Sequence, residues 1–150
     1  TPRSLTSYRE SRSYSEKCHH ELLNELFGSI PGVRVYHEER TYRNVIGTED
    51  YNPDFTIYPG DSTIPTLEIE SKSAYRPEEE SIAQTIRKCQ GLVDKVYPNI
   101  RVVIIYDHGP RMVVEEFQKE GPRKSIDLKE LVSEIKQCTE NTLCSKRPRV

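Results

Sequence analysis

The sequence contains no tryptophan, and aromatic residues make up only 8% of its 150 residues. Apolar residues account for 34% and charged residues for 31%, so we expect one domain with a small hydrophobic core. No apolar run approaches the roughly 20 residues that span a bilayer, and no secretory signal is recognisable. These absences predict a protein without a membrane partner.

Cysteines in CxxC pairs are also missing. The four cysteines show no such spacing, and two of them lie in helical apolar stripes, which favours free thiols in a reducing compartment. These residues are Cys18, Cys89, Cys138 and Cys144. We therefore expect an intracellular location, either cytoplasmic or nuclear.

The charge balance shows little excess of either sign. A formal net charge of −2 provides no global attraction to nucleic acid, so binding to phosphate would depend on a local basic patch or on a metal ion. The sequence also has no initiator methionine, from which we expect a processed chain or a part of a larger polypeptide.

Apolar periodicity is confined to the middle of the sequence. Residues 1–13 and 141–150 lack it, which predicts a flexible N-terminal arm and a basic flexible tail. Residues 14–140 are predicted to form the single domain.

Within this domain the apolar pattern predicts the order helix, three strands, helix, strand, strand, helix. The predicted elements span residues 14–30, 33–40, 55–58, 66–72, 77–97, 100–106, 111–117 and 127–138. Residues 41–46 either extend the first strand or form a bend. The run Ile100–Tyr106 is almost entirely apolar, as is typical of a central strand buried on both faces. The order predicts an α/β (α+β) fold with a mixed sheet flanked by helices.

The second and third strands form a predicted hairpin that carries ionisable residues. Residues two apart in a strand face the same side, so Glu68, Glu70 and Lys72 project together. The loop is centred on Ser62, and Asp54 and Glu70 are each eight positions from it. A regular antiparallel hairpin therefore places these two acids opposite each other, with Cβ atoms ~5 Å apart.

Two carboxylates at this distance repel each other unless a cation lies between them, and Mg²⁺ prefers oxygen ligands of this kind. The spacing therefore predicts a metal site with Asp54 and Glu70 as ligands. A metal ion there can polarise a phosphoryl oxygen and activate a water molecule. Lys72 would orient that water and offset negative charge in the transition state.

The same residues resemble a known signature. Pro53-Asp54 followed by Glu70-Ser71-Lys72 is similar to the PD-(D/E)xK motif of the restriction-endonuclease-like superfamily, and the αβββαβ order from about residue 14 to 106 resembles its core, here with an added C-terminal strand and helix. The resemblance implies a metal-dependent endonuclease that hydrolyses phosphodiester bonds of DNA or RNA with Mg²⁺ or Mn²⁺. In that superfamily many enzymes act as homodimers, which the resemblance makes an expectation for this chain.

The superfamily also suggests further metal ligands from the first helix. Many members add an acidic residue there, and Glu16 shares the inward stripe with His19, so Glu16 is our first candidate. The cap-snatching endonucleases of segmented negative-strand RNA virus polymerases use a helix histidine instead, and His20-Glu21 is similar to their motif. The continuation Pro53-Asp54-Phe55 is closer to junction resolvases and transposon-end nucleases, so the subgroup stays open.

Several alternatives remain at this stage. Glu68 is either a third ligand or the first residue of a shifted motif, Glu68-Ile69-Glu70, in which a glutamate replaces the lysine. We prefer the standard register, Glu70-Ser71-Lys72, because it preserves the symmetry of Glu70 with Asp54. His19 and His20 fit ordinary helix positions better than ligand roles, and no sequence pattern supports a role for His37. The competing function is a catalytically inactive nuclease-fold module that serves binding or assembly within a larger protein.

Overall fold

The computed structural model describes the backbone of residues 8–72 and 79–146. Side chains are described for residues 17–72, 79–80 and 82–142. The helices are α1 (Tyr8–Gly28), α2 (Glu80–Val96) and α3 (Leu128–Lys146). The strands are β1 (Val33–His37), β2 (Tyr42–Ile46), β3 (Glu49–Tyr51), β4 (Phe55–Pro59), β5 (Leu67–Lys72), β6 (Arg101–His108), β7 (Arg111–Glu116) and β8 (Lys124–Ser125).

The main sheet has six strands in the order β1-β4-β5-β6-β7-β8. Strands β5 and β6 are parallel, whereas every other neighbouring pair is antiparallel. A parallel pair needs a crossover connection, and α2 lies in the segment that joins β5 to β6. The predicted mixed α+β fold with a mixed sheet is therefore confirmed.

Each face of the sheet carries its own hydrophobic core, and β6 contributes to both. Val103 and Ile105 belong to the core that includes residues of α1 and α3. Val102 and Ile104 belong to the core that includes residues of α2, β2 and β3. The prediction that this strand is buried on both faces is confirmed, because its side chains alternate between two apolar layers.

Two of the helices extend beyond the predicted domain bounds of residues 14–140. Helix α1 begins at Tyr8, within the predicted arm, and α3 continues to Lys146, within the predicted tail. Both extensions consist mainly of polar residues, so they leave no apolar periodicity in the sequence. The Asp127 side chain accepts a hydrogen bond from the Lys129 backbone N–H at 2.7 Å and so caps the start of α3. The predicted start of the second helix at Pro77 lies outside the described residues.

The region after β1 differs from the prediction. Strand β1 ends at His37 because Glu38 adopts a left-handed backbone conformation with φ of 51°. Residues 41–46 neither extend β1 nor form a simple bend. They contribute β2 to a separate antiparallel pair with β3. The two strands are joined through Gly47, whose φ of 56° suits a glycine in a tight turn.

This β2–β3 hairpin lies directly on α2, where the helix has a glycine. A Cβ atom at Gly91 would be forced against the carbonyl oxygen of Val45 and would lie 3.0 Å from Cγ1 of Ile46. The close approach holds the hairpin, including Tyr51, against the α2 side of the sheet.

We expect Gly91→Ala to destabilise the protein by about 1–3 kcal/mol, because overpacking against backbone outweighs the roughly 1 kcal/mol that alanine gains in a helix. Chemical denaturation of the variant measures the change. Gly28→Ala is the matched control, because a Cβ atom there meets no atom within 4 Å. Equal stability of the two variants would contradict the close packing.

The described part of the chain contains no helix that is long and apolar enough to cross a membrane. Its three described cysteines are free thiols, as predicted, and Cys144 lies outside the described side chains.

Candidate metal centre

The candidate site lies where β4 begins and β5 ends. The two strands pair as Phe55↔Ile69, Thr56↔Glu68 and Ile57↔Leu67. Each pair is symmetric about Ser62, as the sequence predicted. The same register carried one residue further places Asp54 opposite Glu70.

Asp54 is held in place through both its side chain and its backbone. Its Oδ2 atom accepts a hydrogen bond from the Ser71 backbone N–H at 2.7 Å. Its carbonyl oxygen accepts one from the Glu38 backbone N–H at 2.9 Å. Asp54 is therefore tied to the end of β5 on one side and to the residue after β1 on the other, while its side chain stays half-buried.

Glu70 is buried, with a relative exposure of 7%. Burial raises the pKa of its carboxyl group well above the usual range, and the neighbouring Asp54 carboxyl raises it further. Lys72 and the Tyr51 hydroxyl lower this pKa, and that hydroxyl donates a hydrogen bond to Oε1 of Glu70 at 3.1 Å. The pair of acids is thus held together at an electrostatic cost that a cation would relieve.

Lys72 is the last residue of β5 and is half-buried. Its position two residues after Glu70 puts both side chains on the α2 side of the sheet. The effect of Lys72 on the pKa of Glu70 shows that its charge acts on the same site. The structure therefore brings together Asp54, Glu70 and Lys72, the three residues on which the sequence prediction depends.

The two candidate ligands from the first helix have different outcomes. Glu16 lies on α1, but its side chain is outside the described residues, so its ligand role stays a prediction. His20 is half-buried beside the site, and its ring packs edge-on against Phe55 with centroids 4.8 Å apart.

His37 is a neighbour of the site that the sequence analysis missed. One potential ligand atom from each of His20, His37 and Asp54 lies within 4.8 Å of the other two. His37 reaches this position because β1 pairs with β4 so that His37 is the partner of Phe55. The β2–β3 hairpin separates those strands in sequence, so local spacing gives no sign of their pairing. The sequence offered only two indications of this role for His37: the alternation of apolar and polar residues in β1, and the histidine at the end of that strand.

His19 has a different role from its neighbour. It is buried, with 4% exposure, and its Nδ1 atom lies 2.9 Å from the Ser71 hydroxyl. Its Nε2 atom lies 2.8 Å from Oδ1 of Asp107. His19 therefore connects α1 to the ends of β5 and β6, and it fixes the residue between Glu70 and Lys72.

Glu68 does not join the acid pair. It is paired with Thr56 rather than with Asp54, and its side chain is fully buried with no hydrogen-bond partner. The Tyr42 and Thr56 hydroxyls lie near the carboxyl group outside hydrogen-bond geometry and lower its pKa. Burial outweighs them and raises the pKa of Glu68 to about 7. This position favours the standard register of the motif over the shifted one.

Comparison of the chain with protein-family models, with curated proteins and with solved structures gave no match.

Proposed function

We propose that this protein is a metal-dependent endonuclease of the PD-(D/E)xK type, which hydrolyses phosphodiester bonds of DNA or RNA. The observation that carries the proposal is the placement of two carboxyl groups, Asp54 and Glu70, side by side at the ends of paired strands with the ammonium group of Lys72 beside them. A generic surface hairpin does not need this arrangement, because burying one acid next to another is unfavourable.

The residues fit a divalent cation. Asp54 and Glu70 supply the oxygen ligands that Mg²⁺ and Mn²⁺ accept. Burial is the main cause of the raised pKa of Glu70, and the neighbouring Asp54 carboxyl raises it further; a positive ion between the two acids would offset both effects. A bound divalent ion supplies the charge that polarises a phosphodiester and makes water a better nucleophile.

The protein residues would contribute positioning and charge. Asp54 is oriented by its hydrogen bond from the Ser71 backbone, and Glu70 by the Tyr51 hydroxyl. Lys72 orients the attacking water and offsets negative charge as the transition state forms. His19 would act indirectly as a positioning residue, because its contact with Ser71 holds the end of β5 that carries both Glu70 and Lys72.

The test is a cleavage assay on single-stranded and duplex DNA and RNA with Mg²⁺, with Mn²⁺ and with a chelator. We expect cleavage with either metal and none with the chelator. Asp54→Asn should abolish it, because the amide keeps an acceptor for the Ser71 N–H but loses the ligand charge. Asp94→Asn, at an exposed position of α2, is the matched control and should cleave normally.

The substrate that is cut also identifies DNA or RNA as the target. Absence of cleavage on all four substrates, together with no metal-dependent rise in melting temperature, would contradict the proposal. That result would favour the non-catalytic binding or assembly module.

A further inference from the structure

Two imidazole rings meet beside Asp54 at the β1 edge of the sheet. His20 comes from α1 and His37 from the end of β1, and their ring centroids are 4.6 Å apart with an interplanar angle of 63°. One nitrogen atom of each ring and one Asp54 carboxylate oxygen all lie within 4.8 Å of one another. Atoms that bind one ion through bonds of about 2.1 Å are roughly 3–4 Å apart, so small side-chain rotations would bring all three onto one ion.

The fold holds these three groups from different directions. The register of β1 with β4 puts His37 beside Phe55, and the Phe55 ring centroid lies 5.3 Å from that of His37 and 4.8 Å from that of His20. Phe55 therefore supports both imidazoles from the core side. Asp54 is fixed by the Ser71 backbone N–H. His37 is exposed, so an ion can reach the site from solvent.

The chemistry of this set differs from that of the Asp54–Glu70 pair. Imidazole nitrogens suit Zn²⁺, Co²⁺ and other first-row transition metals, whereas Mg²⁺ is bound mainly through oxygen atoms. We propose that His20, His37 and Asp54 form a binding site for a divalent transition-metal ion, with His37 as a ligand that makes the site selective against Mg²⁺. This inference does not require nuclease activity, although Asp54 is shared with the proposed catalytic pair.

The test is calorimetric titration of the untagged, metal-free protein with Zn²⁺, Co²⁺ and Mg²⁺, with the visible absorption of Co²⁺ as an independent signal of nitrogen ligation. We expect one Zn²⁺ or Co²⁺ ion per chain, bound more tightly than Mg²⁺. His37→Ala and His37→Gln should weaken Zn²⁺ and Co²⁺ binding by about tenfold or more while changing Mg²⁺ binding little. Because His37 is exposed, both variants should fold normally.

His108→Ala is the matched control, because His108 is an exposed histidine at the end of β6 and is not part of the cluster. It should bind all three metals as the unmodified protein does. Equal Zn²⁺ and Co²⁺ affinity in the His37 and His108 variants would overturn the proposal and leave the two rings as a packing contact only.

The cleavage assay separates this inference from the proposed function. If His37→Ala loses Zn²⁺ affinity but the unmodified protein cuts no nucleic acid, the metal site stands and the nuclease proposal fails. If the protein cuts nucleic acid and His37→Ala binds Zn²⁺ and Co²⁺ normally, the nuclease proposal stands and the histidine site fails.

Discussion

Replacing Lys72 by methionine should lower the rate of phosphodiester cleavage by about 10²–10³-fold, the usual effect of losing one group that stabilises transition-state charge. Lys72 lies at the end of β5 beside Glu70, where its ammonium group offsets negative charge. Methionine keeps the length of the side chain and removes only the charge. Divalent metal should still bind, because Asp54 and Glu70 remain.

Single-turnover cleavage measures the rate, and calorimetry measures the metal affinity of the same variant. Lys136→Met is the matched control, because Lys136 is exposed on α3 and its loss should leave both quantities unchanged. Lys72→Arg keeps the charge and should retain part of the activity. A Lys72→Met variant that cleaves at the normal rate would remove Lys72 from the proposed mechanism.

Replacing Glu68 by glutamine should remove a pH-dependent loss of stability from the folded protein. Burial raises the pKa of Glu68 from 4.5 to about 7, so folding disfavours its charged form. The unfolded chain releases this proton near pH 4.5 and the folded chain releases it near pH 7. Stability is therefore unaffected below the unfolded pKa and falls as pH rises through this window, by about 3 kcal/mol in total.

Chemical denaturation at a series of pH values between about 4 and 8, in the presence of a chelator, tests this prediction. The free energy of unfolding of Glu68→Gln minus that of the unmodified protein should increase by about 3 kcal/mol from the acid to the alkaline end. Glu25→Gln, at an exposed position of α1, should give a constant difference. Parallel pH profiles for Glu68→Gln and the unmodified protein would show that folding does not raise the pKa of Glu68.

The meeting of Asp54 and Glu70 could be predicted because a hairpin is a local structure. Once the turn is centred on Ser62, the pairing of every residue on its two strands follows from counting. The alternation of side chains along a strand likewise predicts that Glu70 and Lys72 share one face of the sheet and that Ser71 lies on the other. The central position of β6 was predictable for a similar reason, because burial on both faces leaves a continuous apolar run in the sequence.

The separate β2–β3 pair could not be predicted in the same way. Its strands are short, and its stability depends on packing against α2, which follows it in the chain. The close approach at Gly91 depends on that packing, and so does the contact of Tyr51 with Glu70. A glycine within a predicted helix indicates that another segment can approach the helix closely at that position. It does not indicate which segment does so.

The sequence by itself determined the acid pair, the lysine beside it and the alternation of the central strands, because each depends on residues close together in the chain. Tertiary structure alone decided that His37 joins His20 at Asp54, that His19 connects Ser71 to Asp107, and that Glu68 is fully buried. These contacts join segments whose approach depends on how two hydrophobic layers pack on the sheet. The free energy of such packing is spread over many residues, so it produces no regular residue spacing from which the contacts could be predicted.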